Sequence, residues 1–554
     1  MSLKIAIAQT NPVAGDLRGN AQRLRYAFND AARQGADLIV TPEAALVGYP
    51  LDDLVNRPSF MEAVHKTVED MAAHMKPGAP SVLLGTPWTN RHGDVVNAAV
   101  LLKDGKVARV IEKRVLAHGG PFHELRNFVS GDDYRPIRIK HHRVGVAVCA
   151  DIWQPETAGL LRDAGADMIV AVNASPFRAG VDEERKEVVA RAARDAKVPV
   201  LYVNMTGGQD EMVFDGASFV MDAAGQVQGQ FPQWEELTQS VDFNGGKLAP
   251  QKAPLHVMDD TQQLYSAAVI GVRDYARKNG FKSVVIGLSG GIDSALTAAI
   301  ACDALGPENV TCLMLPSEFT SQESYDVAQE TCRRLGCEYS DALSIDGPYK
   351  AMLETLKNCR DQPRKQITGE NIQARLRTLF LFAVSNDEGR LVLNTSNKTE
   401  VAMGHSTFYG DTSGGYAPLK DLWKLQVYEL ARWRNAHKPR IGYGAEGAVI
   451  DERILTRAPT PELKHGEVDT DILPPYEILD PILKAIVEDE ESVEGVVGRG
   501  FARDVVKAVY DKLNIVEYKR GQTPPGPKMS DRSFGRRERM YPMTNKYRDY
   551  DYGV

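Results

Sequence analysis

Short apolar runs alternating with amphipathic helical stretches, in two separate blocks, restrict this chain to layered α/β architectures. In the first block LKIAIAQ, ADLIVTPE, SVLLGTPW, RVGVAVCADIW, ADMIVAVNAS and VPVLYVNMTG read as buried strands that open into loops. Apolar runs without polar interruption suit strands covered on both faces. Segments with helical spacing, among them 20–34 and 182–196, fall between them, and the alternation predicts α/β layering. Near Gly245 the pattern stops. GGKLAPQKAPLHVMDD carries glycine and proline with no period, so 246–260 reads as a linker between domains at 1–245 and 261–554.

The second block opens with helical spacing over 261–279, then SVVIGLSGG as a strand running into a glycine-rich turn and SALTAAIACDAL as a helix. NVTCLMLPS, CEYSDALSI and RLVLNTSNKTE follow as strands, with helices at SYDVAQETCRRLG and 371–386. This order predicts a doubly wound, mainly parallel sheet that binds its ligands at the carboxyl ends of the strands. The Pro-, Gly- and Arg-rich stretch from YKRGQTPPGPK onward reads as a lid over a phosphate-bearing substrate, in preference to a basic tail for nucleic acid. A net charge of -8 argues against a general nucleic-acid binder. The start MSLKIAIAQTNP has no signal-peptide pattern, and no apolar run reaches the roughly 18 residues of a membrane span. Six cysteines without a CxxC pair point to reduced thiols and a cytoplasmic setting. Cys332 and Cys337 read as small apolar residues on a helix and the following strand, in preference to metal ligands.

Three reactive side chains fall at strand ends of the first block: Glu43 in ADLIVTPEAALVGYP, Lys113 in ARVIEKRVLAHGG and Cys149 in VAVCADIW. A strand-end cysteine alone is equally a packed residue; the other two segments change that reading. Together and in this order they resemble the Glu-Lys-Cys triad of the nitrilase superfamily, over 1–245. The resemblance implies a four-layered αββα sandwich, with Glu43 as general base, Lys113 as transition-state stabiliser and Cys149 as nucleophile. It also implies that Glu124, in PFHELRNF, stands beside the triad. A neutral thiol is only a few per cent ionised at pH 7, so it needs a base or a cation nearby. Such a half is an amidase, and the triad alone does not name the amide.

In SVVIGLSGGIDSALTAAI a strand meets a tight turn with two glycines, two serines and an aspartate before a helix. Adjacent glycines let backbone N–H groups approach a ligand, and a helix N-terminus favours an anion. The segment lacks the Gly-Lys-Ser/Thr ending of a Walker A loop. GVVGRGFARD is no dinucleotide fingerprint either, since its last glycine position holds Arg503. SVVIGLSGGIDSALTAAI instead resembles the SGGxDS signature of ATP-pyrophosphatases, which cleave ATP to AMP and pyrophosphate. That resemblance implies ATP held by Gly287, Leu288, Ser289, Gly290, Gly291, Ile292, Asp293 and Ser294, with Asp293 on Mg²⁺.

ITGENIQARLR, LVLNTSNKTEVAMGHSTFYGDTSGGYAPLKDLWK and VEYKRGQTPPGPK are similar to the NAD synthetase family. By that likeness Thr395 contacts ATP, Glu400 faces the substrate or metal, Asn371 and Lys519 hold deamido-NAD, and Asp411 belongs to a loop ordered over the substrates. The pair of resemblances implies ATP-dependent amidation of deamido-NAD with ammonia from glutamine, giving AMP, pyrophosphate and glutamate, by a homo-oligomer (dimer or octamer). It departs from the family at the glutamine pocket. Where relatives carry a tyrosine and a lysine, this chain has Gly119 and Val181, while Ser175 is kept. Glutamine recognition is therefore expected through Ser175, Glu124 and main-chain groups, including those of Gly119 and Val181. Competing readings are another amidotransferase of the same ATP family, a stand-alone amidase with a degenerate second half, and a non-catalytic nucleotide sensor.

Overall fold

The computed structural model describes residues 2–250, 258–357, 365–457, 462–463, 473–535 and 538–551. It divides into two compact units, Met1–Met258 and Asp259–Val554. In the first unit a seven-stranded sheet runs, in spatial order, Lys247–Pro250, Leu237–Asn244, Leu3–Gln9, Leu38–Val40, Ser81–Thr89, Val95–Lys103 and Lys106–Glu112. A six-stranded sheet runs Val227–Gln230, Phe219–Met221, Val200–Asn204, Met168–Asn173, His142–Val148 and Ile137–Ile139. Each has a parallel centre and antiparallel flanks.

The alternation of side chains along a strand explains the layering. Leu3, Ile5 and Ile7 face a core that also holds Val144, Val146, Val148, Met168, Val170 and Val172 of the other sheet. Ala6 and Ala8 point the other way, to a core shared with Leu24 of the helix Leu17–Arg33 and Val64 of the helix Pro58–Ala73. Ala147 and Ile169 do the same for the second sheet, packing with Leu161 and Val189 of the helices Pro155–Asp163 and Val181–Ala196. The result is the αββα sandwich expected from the sequence.

The stretch read as the start of a linker folds differently. Lys247–Pro250 pairs with Leu237–Asn244 as the edge strand of the seven-stranded sheet. Gly245 and Gly246, both at positive φ (56° and 78°), form the two-residue turn of this hairpin. The glycines that suggested a break thus reverse the chain within the unit. The rest of the expected linker, 251–257, lies outside the described residues, and a helix already begins at Asp260.

The second unit carries a four-stranded, all-parallel sheet in the order Glu338–Ser340, Val310–Leu313, Val284–Gly287, Leu391–Leu393. The helices Ile292–Leu305 and Gln366–Glu388 supply its connections. This is the doubly wound arrangement expected, and its carboxyl edge collects the loops after Gly287 and Leu393 side by side. Part of the stretch expected as a lid, 525–530, is packed on neighbouring backbone. Met529 is fully buried, Met529 and Ser530 donate backbone N–H bonds to Asp421, and Ala417 N–H donates to Pro525 O. A Cβ on Gly526 would meet Ala417 O at 2.2 Å, so the PPG turn sits directly on neighbouring backbone. Cys332 is buried in its helix, but Cys337 is half-buried in the turn before the strand Glu338–Ser340.

Candidate active sites

In the first unit Glu43 lies three residues beyond the strand Leu38–Val40, Lys113 directly after Lys106–Glu112, and Cys149 directly after His142–Val148. The Lys113 ammonium is 2.7 Å from Glu43 Oε1 and 2.7 Å from Glu124 Oε2, with all three side chains buried. Asn97 Nδ2 donates to Glu43 Oε1 (2.7 Å) and to Glu124 Oε1 (2.9 Å). Backbone N–H groups complete the cage: Ala174 donates to Glu43 Oε2 (3.0 Å) and Ala117 to Glu124 Oε2 (2.7 Å). An ammonium has three donors. Two point at carboxylates here, which leaves one for a developing oxyanion.

Two carboxylates around one ammonium give this cluster a formal charge of minus one, and the ionisation of its members follows. Burial, reinforced by the charges of Glu43 and then Glu124 against Lys113, pushes the Cys149 thiol well above the ordinary thiol range. Burial alone would lower Lys113; Glu43, Cys149 and Glu124 outweigh it and hold the ammonium charged. Glu124 is raised by burial against the pull of Lys113. At neutral pH the nucleophile therefore rests as a thiol. Its backbone is strained: φ at Cys149 is +46°, a region L-residues rarely adopt, and such strain costs about 1–3 kcal/mol.

Asp151 holds that elbow. Its Oδ2 accepts from Val148 N–H (2.9 Å) and from the Arg114 guanidinium (3.0 Å), and its Oδ1 from the N–H groups of Arg114 and Val115 (2.9 and 2.8 Å). One buried carboxylate thus ties the strand end bearing Cys149 to the one bearing Lys113.

The expected glutamine-binding residues are dispersed. Ser175 follows Ala174, the residue that caps Glu43, but its Oγ accepts from Arg185 Nε (3.0 Å), whose guanidinium pairs with Asp215. Gly119 is exposed on the short hairpin formed by His118–Gly119 and Phe122–His123, at φ +101° with open space where a Cβ would project. Val181 has a buried side chain and donates its N–H to Arg178 O, which removes the main-chain donor expected of it.

In the second unit the loop after Val284–Gly287 closes on itself. Leu288 is buried and donates its N–H to Leu313 O. Ser289 Oγ and Ser294 Oγ lie 3.2 Å apart, Ser289 N–H donates to Ser294 Oγ and Gly291 N–H to Ser289 Oγ. Gly290 has φ +81°, and a Cβ there would meet Ser324 O at 2.7 Å, so only glycine fits this turn. The helix starts at Ile292 with no side-chain cap, leaving its first N–H groups for a ligand.

Asp293, in the first helical turn, accepts from Asn397 Nδ2 (2.9 Å) at one oxygen and from the Lys424 ammonium (2.5 Å) at the other. Lys424 Nζ is also 3.6 Å from Glu400 Oε1, so Asp293 and Glu400 already share one cation. Thr395 is half-buried two residues beyond Leu391–Leu393, the strand adjoining Val284–Gly287. Asn371 and Lys519 meet around one loop: Asn371 Oδ1 accepts from Thr407 Oγ1 (2.8 Å), and Lys519 Nζ donates to Gly404 O and Ser406 O (both 2.8 Å). Asp411 lies in the same loop, accepts from Thr407 N–H, and is raised by burial.

Both halves match known families over nearly their whole length: a carbon-nitrogen hydrolase model over residues 4–251 and an NAD synthase model over 264–523. The glutamine-dependent NAD(+) synthetase of Rhodobacter capsulatus is 43% identical over 550 residues, covering 99% of each chain. That of Thermotoga maritima is 38% identical over 584 residues, with 99% of each covered. The chain belongs to the glutamine-dependent NAD(+) synthetase family. Among solved structures of that family, the enzyme from Acinetobacter baumannii in complex with adenosine diphosphate is 35% identical, with a TM-score of 0.78 over 98% of this chain and 99% of that one. The enzyme from Cytophaga hutchinsonii, 20% identical with a TM-score of 0.82 over 98% of each chain, shares the fold.

The geometry also brings in residues that the sequence reading left out: Asn97, Asp151, Asn397, Lys424 and Arg377. A faint signal existed for Asn97, the lone amide inside the apolar run VVNAAVLL. Arg377 donates to Leu315 O (3.0 Å) beyond the strand Val310–Leu313, and burial lowers it to about 10.

Proposed function

We propose that this chain makes NAD by amidating deamido-NAD, with ATP as activator and glutamine as nitrogen donor, and that the residues above divide the work as follows. Glu43 takes the Cys149 proton as sulfur attacks the amide carbon of glutamine. The free N–H of Lys113 stabilises the oxyanion, a contribution of about 3–4 kcal/mol for one well-placed donor. Collapse expels ammonia, carrying the proton returned by Glu43, and leaves a γ-glutamyl thioester. Water, deprotonated by Glu43, cleaves that thioester to glutamate and restores the thiol. The observation that carries this assignment is the buried Glu43–Lys113–Glu124 cluster at the strand ends that also bear Cys149.

In the second unit the nicotinate carboxylate attacks the α-phosphorus of ATP and releases pyrophosphate. Ammonia then displaces AMP from the adenylate. The Ser289–Ser294 turn and the uncapped helix start provide donors for phosphate oxygens. Thr395 stands beside that turn for ATP; Asn371 and Lys519, with the loop they fasten, serve deamido-NAD. Arg377 offers a further cation to an anionic substrate group. Asp293 and Glu400, two hard-oxygen donors that already share the Lys424 ammonium, suit Mg²⁺. Mg²⁺ there would neutralise charge on the pyrophosphate.

We also infer a homo-oligomer working in a reducing, cytoplasmic setting. The helix Gln366–Glu388 leaves Leu379 65% and Ile367 53% exposed, which favours burial against a second copy. The described cysteines are free thiols, and no described helix is long and apolar enough to cross a membrane. Incubation with ATP, Mg²⁺, glutamine and deamido-NAD should yield AMP, pyrophosphate, glutamate and NAD. Glutamate without AMP would reduce the chain to an amidase, and AMP with a different amide product would reassign the substrate.

A further inference from the structure

Away from both sites, three cysteines from successive elements of the second unit converge. Cys312 lies on the strand Val310–Leu313, Cys332 in the last turn of the helix Gln322–Leu335, and Cys337 just before the strand Glu338–Ser340. Their sulfurs all lie within 4.8 Å of one another, and those of Cys312 and Cys337 are 3.9 Å apart. A helix stop brings them together. Gly336, at φ +75°, reverses the chain, and the N–H groups of Gly336 and Cys337 both return to Cys332 O (2.8 and 3.2 Å). Two cysteines five residues apart are thereby placed side by side against the neighbouring strand.

We propose that Cys312, Cys332 and Cys337 form a binding site for one thiophilic d¹⁰ metal ion, Zn²⁺ being the natural occupant. Tetrahedral Zn²⁺ with bonds of about 2.3 Å to sulfur sets neighbouring sulfurs roughly 3.8 Å apart. The Cys312–Cys337 separation already meets this, and an upper limit of 4.8 Å leaves at most about 1 Å of contraction for the other pairs. Cys332 and Cys337 line an open groove of about 880 Å³ with Glu330, Arg334, Asp451 and Arg453, which gives the ion a polar entry route. Soft thiolates favour Zn²⁺ over the hard Mg²⁺ of the nucleotide site. Binding replaces the thiol protons, so uptake releases protons and strengthens as pH rises.

Such an ion would clamp the end of the helix Gln322–Leu335 to two strands. The first turn of that helix places Ser324 O where a Cβ on Gly290 would collide, so the clamped helix also backs the nucleotide loop. The role is therefore structural support of that loop.

The test uses the full chain, reduced and stripped of metal with a chelator. Co²⁺ should bind with one equivalent and release of protons, show a thiolate-to-cobalt charge-transfer band, and be displaced by Zn²⁺ without further proton release. Cys337→Ala lies at a half-exposed turn and should stay folded by circular dichroism. It should weaken Co²⁺ binding by more than the roughly 10–100-fold typical of losing an outer-shell partner. Absence of the charge-transfer band, or an unchanged affinity in folded Cys337→Ala, would overturn the proposal. So would peptide mapping that finds a Cys312–Cys337 disulfide and no metal uptake after reduction.

Discussion

The two candidate sites handle charge in opposite ways. Around Cys149 every buried carboxylate oxygen has its donors in place: Glu43 and Glu124 take bonds from Lys113, Asn97 and two backbone N–H groups. Beside the Ser289 turn, whose own N–H groups at 288, 289 and 291 are bonded internally, the donors left open are those of a helix start without a side-chain cap. The side-chain amide of glutamine brings no charge to the reacting centre, so the first site must own the charges its chemistry needs, pre-arranged and dry. ATP and deamido-NAD bring many negative charges, so the second site needs free donors and a cation reserve. Lys424, held between Asp293 and Glu400, supplies that reserve.

The largest effects should come from removing charge at either site. Asp293→Ala should cut pyrophosphate release by at least about 10²–10³ with glutamine and ammonium alike, the range for losing one key transition-state contact. Equal rates with wild type in a pyrophosphate assay would separate Asp293 from the nucleotide chemistry. Glu43→Gln should lower glutaminase turnover about 10²–10⁴-fold, the usual contribution of a general base.

The same variant sharpens the contrast through pH. Burial and then the charge of Glu43 hold the Cys149 thiol above its ordinary range, so wild-type alkylation by iodoacetamide should rise only at higher pH than that of an exposed cysteine peptide. Removing the negative charge at position 43 lowers the thiol pKa, so the profile should move to lower pH while turnover falls. A profile that moves upward would contradict a charged Glu43 acting against the thiolate.

Smaller effects are expected where the scaffold, not the chemistry, is touched. Asn97→Ala strips an amide donor from two buried carboxylates and should cost about 1–3 kcal/mol of stability, read as a lower denaturation midpoint. The pair Gly119→Tyr and Val181→Lys should leave the glutamine KM within about threefold. Position 119 is exposed at φ +101°, where a side chain adds about 1–2 kcal/mol of strain, and position 181 points into packing. A tenfold lower KM would show that the hairpin still accepts the side chains it lacks.

Much of this was legible in the sequence, for one reason: reactive residues at the carboxyl ends of apolar strands announce themselves locally. Glu43, Lys113, Cys149 and the SGGIDS turn all stand within three residues of a strand end. The supports were hidden because they act across long sequence distances. Asn97 reaches Glu43 and Glu124, Asp151 reaches back to Arg114, and Lys424 meets Asp293. The misread linker shows the converse limit. Gly245-Gly246 has the composition of a break and the dihedral angles of a hairpin turn, and only the pairing partner Leu237–Asn244 decides between them.

The claim that the two sites are chemically distinct, one generating ammonia and the other consuming it, is tested most directly with Cys149→Ala. Its NAD synthesis should be measured with glutamine and, in parallel, with saturating ammonium salt. The account predicts no detectable product from glutamine and a rate within about twofold of wild type from ammonium, because the hydrogen bonds around Ser289, Asp293 and Lys424 do not involve the thiol. Loss of the ammonium-driven reaction in folded Cys149→Ala, or survival of the glutamine-driven one, would contradict it.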